Sequence, residues 1–301
     1  FSADFAIGAV DGGSANTDDA VMAGYGFQID LNTSFTGEDS FDVSIDAGNA
    51  GIAGISEFDL NSASESLTVD GISYTFPVGG ATLLVGDTVD GSSLFTTACA
   101  YSGPSNTLDD CGNVNAAFVG SGTTLGASYD FDNGFTAALG YAGAGDTTSG
   151  LMTKEGADSY GGNVAYTADT YGVSATYAMV EDSNGVDDTY TAINAYWTPE
   201  GFPSISAGYE WGDDGSQAAS VDEKTSYFVG VESDFGPGTI GAALGTKTPT
   251  VEGSSELLMY EAFYSYDIND GMTITPLVYI KEFATGTDDE TGVMVKTSFS
   301  F

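Results

Sequence analysis

The sequence contains no histidine and no arginine, and only five lysines stand against 44 acidic residues, for a net charge of −39. A chain so poor in cations cannot neutralise phosphates, which excludes nucleic acid as a partner and argues against anionic substrates. Without histidine there is no Ser-His-Asp arrangement and no imidazole metal site. No phosphate-cradling loop is present either, so an enzyme is not expected. The adjacent acids Asp109 and Asp110 imitate a glycosidase pair, but neighbouring acidic residues are ordinary in loops. Proline is scarce at seven, and cysteine is limited to Cys99 and Cys111. No apolar run approaches the length of a membrane-spanning helix. No basic-then-apolar leader opens the chain at Phe1, so the expectation is a mature or trimmed product.

Aromatics and glycine are plentiful: 18 Phe, 17 Tyr and 42 Gly. With a mean hydropathy near zero, they argue for a folded chain despite the acidity. The recurring pattern is alternation, with a period of two rather than 3.6. In "GYGFQIDLNTSF", Tyr25, Phe27, Ile29, Leu31 and Phe35 share one face, with Gln28, Asp30, Asn32 and Ser34 on the other. "FDVSIDA", "YGVSATYAMV", "SISAGYEW" and "MTITPLVYI" repeat the pattern. The terminal stretch "TGVMVKTSFSF" places Val293, Val295, Thr297, Phe299 and Phe301 opposite Met294, Lys296, Ser298 and Ser300. Segments 187–197 and 225–233 alternate less cleanly, and their faces stay open.

The connections carry more information than the strands. Tight turns rich in Gly, Asp and Asn fall at 36–40, 77–80, 130–135, 167–172, 198–203, 234–238 and 267–272. Between them lie longer, acidic stretches at 11–20, 49–66, 89–121, 145–158, 181–188, 212–224, 246–256 and 282–290. Asn-Gly and Asp-Gly pairs favour hairpins because both central positions tolerate positive φ. Seven short and eight long connections imply 16 antiparallel strands with both termini on the short-turn side. That asymmetry predicts an all-β fold: one transmembrane β-barrel domain over 1–301, with short periplasmic turns and long external loops. Phe35, Phe41, Phe76, Phe131, Phe135, Tyr171, Trp197, Phe202 and Phe235 flank the turns. Tyr160, Tyr190, Trp211, Tyr227 and Tyr260 sit near the long loops. Two aromatic levels suit two membrane interfaces. A soluble sandwich also alternates, but rarely alternates its connections too, and no tandem calcium-binding nonapeptide supports a β-roll.

A sheet in lipid must close on itself to pair its backbone, and a barrel of about 16 strands leaves an aqueous channel. The expected inward set is Asp4, Asp30, Asp42, Asp46, Glu210, Glu261 and Asp267, with Lys281 and Lys296. Lys296 either pairs with an acid on the neighbouring first strand, near Asp4, or tunes conduction as a lone lumen charge; pairing is the favoured expectation. The longest connection, 89–121, carries the two cysteines, whose spacing in a polar segment suggests a loop disulfide in an oxidising compartment. That loop either folds into the barrel mouth, with Asp109 and Asp110 presenting charge, or projects outward. We favour the inward fold. The acidic tips "DGGSANTDDA" and "WGDDGSQ" are candidate calcium ligands, although most such tips are only solvated; no other cofactor is implied. A different class also fits the composition: a secreted acidic β-rich adhesin or surface-layer protein.

The stretches "GYGFQIDLNTSFTGEDSFDVSIDAGN" (24–49) and "GVMVKTSFSF" (292–301) resemble the major outer-membrane porins of cyanobacteria, within the OprB-type carbohydrate-selective porin family. The resemblance implies a 16-stranded, commonly trimeric barrel in outer-membrane lipid that passes small solutes by diffusion. It also implies that the terminal phenylalanine is read by the barrel-assembly machinery. Relatives carry an N-terminal surface-layer-homology domain that grips the peptidoglycan; no such domain lies within these residues. Sugar-selective relatives place arginines in the channel, and this sequence has none. The expectation is therefore a general-diffusion porin that prefers cations and also passes small neutral solutes.

Overall fold

The computed structural model describes residues 1–13, 20–52, 54–60, 65–118, 122–154, 156–181, 185–215, 222–284 and 286–300. Strands begin with β1 (Ser2–Asp11), β2 (Met22–Thr33), β3 (Ser40–Gly48), β4 (Thr68–Val78), β5 (Ala81–Asp87) and β6 (Thr123–Asp130). They continue with β7 (Phe135–Gly143), β8 (Asp158–Thr167), β9 (Tyr171–Glu181), β10 (Asp187–Trp197), β11 (Ser204–Asp213) and β12 (Glu223–Phe235). The last are β13 (Gly238–Thr246), β14 (Thr250–Val251), β15 (Leu258–Asn269), β16 (Met272–Lys281) and β17 (Glu290–Ser300). Sixteen of them form one closed antiparallel wall, in which each strand pairs with its sequence neighbours. The two-residue β14 is an extension that pairs with β12 beside β13.

Closure is made by β1 and β17, whose register runs from Ser2 opposite Ser300 to Asp11 opposite Thr291. The terminal pattern therefore forms a seam. Val293 is 56% exposed on the outer face while Met294, beside it, is 1% exposed, and Phe299 packs edge-on against Phe5. Phe301 lies outside the described residues. Alternation carries through the wall: in β9, Tyr171, Val173, Ala175 and Tyr177 face out, while Gly172, Ser174, Thr176 and Ala178 are buried. The two segments whose faces were open are settled by burial, with Ile193 and Val229 outward and Asn194 and Phe228 inward.

The tight turns match their residues. Gly79 and Gly80 both take positive φ, 59° and 97°, between Val78 and Ala81, as a two-residue hairpin with right-handed strand twist requires. The β2–β3 turn is organised by Asp39, which accepts hydrogen bonds from the N–H groups of Phe35 and Thr36 and the hydroxyls of Ser34, Thr36 and Tyr74. These donors, Ser34 first, hold its carboxyl far below the usual carboxylate range.

The outer face is apolar, with Phe5, Ile7, Leu139, Val164, Ile193, Val278 and Val293 all exposed. A continuous belt of this kind exceeds what a water-facing surface tolerates and matches a lipid-facing wall. Near the short turns the aromatic rings contact one another, as in Tyr74–Phe76 at 5.1 Å and Phe135–Tyr166 at 4.8 Å. Tyr190, expected in the opposite aromatic level, turns inward instead and is buried. It packs with Ala116 and Phe118 because the 89–118 segment supplies an apolar surface inside the barrel.

Candidate functional site in the barrel lumen

Among the described residues, two of the long connections fold inward. The first is the expected one. From residue 96 the chain runs extended along the inner wall, and alternate N–H groups donate to β8, β9, β11 and β12 in turn, passing β10. Thr96 donates to Asn163 on β8 at 3.0 Å, and Ala98 to Ser174 on β9 at 2.9 Å. Ala100 donates to Ser206 on β11 at 2.8 Å, and Ser102 to Glu232 on β12 at 2.9 Å. The period of two is that of an extended chain, so wall polar side chains stand in for the partner strand this segment lacks.

The segment then returns. The Tyr101 hydroxyl donates to Glu261 at 2.6 Å. Cys99 and Cys111 are disulfide-bonded, and Asn194 donates its side-chain amide to the Cys111 carbonyl at 2.8 Å. Glu210 accepts from the N–H groups of Asn115 and Ala116 at 2.8 and 2.7 Å, and from the Asn115 side chain at 2.7 Å. Glycines make the close approach possible: a Cβ on Gly208 would lie 1.9 Å from the Cys111 carbonyl oxygen, and one on Gly140 1.9 Å from that of Gly91.

The second inward connection was expected outside, as one of the long external loops. Instead Ile55, Phe58 and Leu60 are buried against Val10, Met259, Leu277, Tyr279 and Met294 of the inner wall. Gly24 leaves room for Ile55 and Ala50. A single 3-10 turn, Ser56–Phe58, carries Glu57, whose carboxylate pairs with Lys281 and whose carbonyl accepts the Asn106 N–H at 2.9 Å. The apolar run "GIAGISEF" within an otherwise acidic connection was the available signal, since such residues do not stay in water without cost.

Asp4 stands opposite Ser298 and Gly26, two residues before the buried Ala6, and the other expected inward residues divide into three groups. Asp30 and Asp42 face the lumen toward the short-turn end, where Asp30 accepts from Gln28 and Ser44 and Asp42 accepts from Asn32 and Ser40. Asp267, near the same end, accepts from Thr273 at 2.6 Å. Asp46, Glu210 and Glu261 point inward but are buried, and the two glutamates hold the loop rather than meet lumen water. Lys281 is taken up by Glu57. Lys296 departs from expectation: it lies opposite Ala6 rather than Asp4, and its ammonium sits 5.5 Å from the Phe58 ring centroid. The inward 50–60 connection supplies that ring, and the register sets Asp4 opposite Ser298, two residues along from Lys296.

Asp109 and Asp110 remain, and both are exposed in the lumen. So is Asp59, a residue that sequence reasoning missed, held in the left-handed region at φ 43° just after the 3-10 turn. Reduced solvation inside the wall, then the like charges of Asp110 and Asp59, push Asp109 up to about 7. Reduced solvation and the charges of Glu210, Asp59 and Asp90 push Asp110 up to about 6. No lysine contributes to either. Two ion pairs occur among the described residues, Lys224–Asp214 and Lys281–Glu57, and neither reaches these acids.

Among the described residues no group of three or more His, Cys, Asp or Glu is arranged to hold a metal. In "WGDDGSQ", Asp214 is paired with Lys224 at 2.6 Å. Residues 14–19 of "DGGSANTDDA" and 216–217 of "WGDDGSQ" lie outside the described residues.

A closed 16-stranded wall with a polar lumen and an inward-folded, disulfide-bearing connection after the fifth strand defines the porin class of fold. Solved structures agree. The chain is similar to OprB of Pseudomonas putida, with a TM-score of 0.71 and 12% identity over 100% of this chain and 94% of that one. It is also similar to a mutant of the Rh. blastica porin, with a TM-score of 0.66 and 15% identity over 100% and 99%. A further porin, refined at 1.8 Å, gives 0.61 and 16% over 99% of each chain. No family model matches the sequence, and no curated protein matches it.

Proposed function

We propose that the protein is a general-diffusion porin of a bacterial outer membrane that passes inorganic ions with a preference for cations, together with small uncharged hydrophilic solutes. The supporting observation is the set Asp59, Asp109 and Asp110, which are exposed in the lumen of a barrel with an apolar outer face and have no lysine ion pair among the described residues. Carboxylates inside a low-dielectric wall concentrate cations and repel anions. In this reading the 89–121 connection narrows the channel, and Asp30, Asp42 and Asp267 continue the negative field toward the short-turn mouth. The absence of arginine speaks against a dedicated sugar-binding track, and the channel carries out no chemistry.

The shared fold further supports a homotrimer in a bacterial outer membrane with lipid around its outer wall, and the sequence resemblance alone supports a cyanobacterial cell. Planar-bilayer recording tests the proposal: discrete conductance steps are expected, with a reversal potential in a KCl gradient on the cation side. Absence of steps would remove the pore reading, and an anion-side reversal would remove the selectivity. Migration as a heat-modifiable oligomer in detergent tests the assembly.

A further inference from the structure

The inward 50–60 connection sits where the two occupants of the lumen meet, and one residue touches both of them and the wall. Glu57 is 4% exposed. Its carboxylate is bonded to Lys281 at the end of β16, and its carbonyl accepts the Asn106 N–H at 2.9 Å. Asn106 lies between the two disulfide cysteines, three residues before Asp109. On either side of Glu57, Ile55 and Phe58 are seated in the wall cluster, and Phe58 faces Lys296.

This arrangement is poorly explained as a source of stability. A buried ion pair contributes little beyond what apolar residues of similar size would give, because both charges lose their hydration. Here one carboxylate oxygen of Glu57 is also buried without a partner among the described residues, which adds to the cost. What the pair does supply is register, since an ion pair is satisfied in one position whereas an apolar contact slides. Adding the Asn106 N–H transfers that register to the disulfide-bearing connection.

We infer that Glu57 is a positioning residue of the channel: through Lys281 and Asn106 it locks the 50–60 connection, the 89–121 connection and the wall into one constriction, holding Asp59, Asp109 and Asp110 at a fixed spacing. The inference rests on the porin reading for its consequence, although the lock itself is a property of the fold. With the lock broken the two connections move independently. The pore then fluctuates in width while the barrel, closed by its own strand pairing, persists.

The test compares Glu57→Gln, Lys281→Met and the double variant of the full chain in planar bilayers, with heat-modifiable migration as the control for barrel formation. Each single variant is expected to show raised open-channel current noise, new sub-levels and a shifted unit conductance. The double is expected to be no worse than either single, since both remove the same interaction. Folded single variants with wild-type noise and conductance would overturn the inference, as would effects that add in the double. A second measurement needs no variant: the exposed Asn106 amide should exchange slowly with deuterium in the folded wild type, and exchange at the free-peptide rate would equally overturn it. If the wild type forms no channels at all, the porin reading falls while the Asn106 amide still reports on the lock.

Discussion

Glu210 on β11 accepts a hydrogen bond from the backbone N–H of Ala116 at 2.7 Å, across 94 residues of sequence. With the two bonds from Asn115, this carboxylate spends both oxygens on the loop, so a residue expected to line the channel acts as its internal anchor. Glu210→Ala is expected to leave these donors without a partner, at about 1–3 kcal/mol for each buried group. The measurable results are a lower unfolding temperature in detergent and a larger, less steady unit conductance. A variant that matches the wild type in both would show that the loop is held without Glu210.

Selectivity should depend on the acids that do reach lumen water. Asp109→Asn, Asp110→Asn and Asp59→Asn are each expected to move the reversal potential toward zero in a KCl gradient, and the triple variant further than any single. Asp4→Asn, placed near the short-turn end of the seam, should have a smaller effect, because screening in salt water leaves a charge little reach beyond about 10 Å at 0.1 M. An unchanged reversal in the triple variant would remove these residues from the ion path.

Cation preference should also depend on pH in a defined window. Asp109 and Asp110 titrate near 7 and 6, so both are ionised at pH 8, and both become neutral as pH falls through those values. The permeability ratio for K⁺ over Cl⁻ should fall between pH 8 and pH 5, with the midpoint lost in the Asp109→Asn/Asp110→Asn variant. The sign for stability is opposite to that of a salt-bridged acid: a raised carboxylate pKa destabilises the folded state at high pH, and that cost disappears on acidification.

The lumen glycines predict a steric effect. Gly208→Val would drive side-chain atoms into the Cys111 carbonyl, which already stands 1.9 Å from a bare Cβ position. The loop must withdraw from this part of the wall, which breaks its bonds to Asn194 on β10 and Glu210 on β11. Gly37→Ala is the control, since nothing stands within 4 Å of its Cβ position; its cost is confined to the strain of a residue at φ 87°. Conductance should change in the first variant and not in the second.

Much of the fold could be read from the residues. Alternation with a period of two, short Gly-rich turns, long acidic connections and a terminal "TGVMVKTSFSF" lead to a closed barrel because lipid forbids unpaired backbone and open edges. The lumen set was only partly legible. Asp30 and Asp42 lie where alternation puts them, yet Glu210, Glu261 and Lys281 share the same inward phase and serve as anchors beneath the loops. Period alone gives the face, not what covers it.

The amino-acid sequence by itself determined the strands, the alternation of short and long connections and the sign of the charge, since each follows from local pattern and composition. Tertiary structure alone decided which connections enter the barrel. The inward course of 50–60, the seat of Phe58 beneath Lys296 and the meeting of Glu57 with Lys281 and Asn106 join residues far apart in the chain. Such contacts depend on the shape of a cavity that exists only after the sheet has closed.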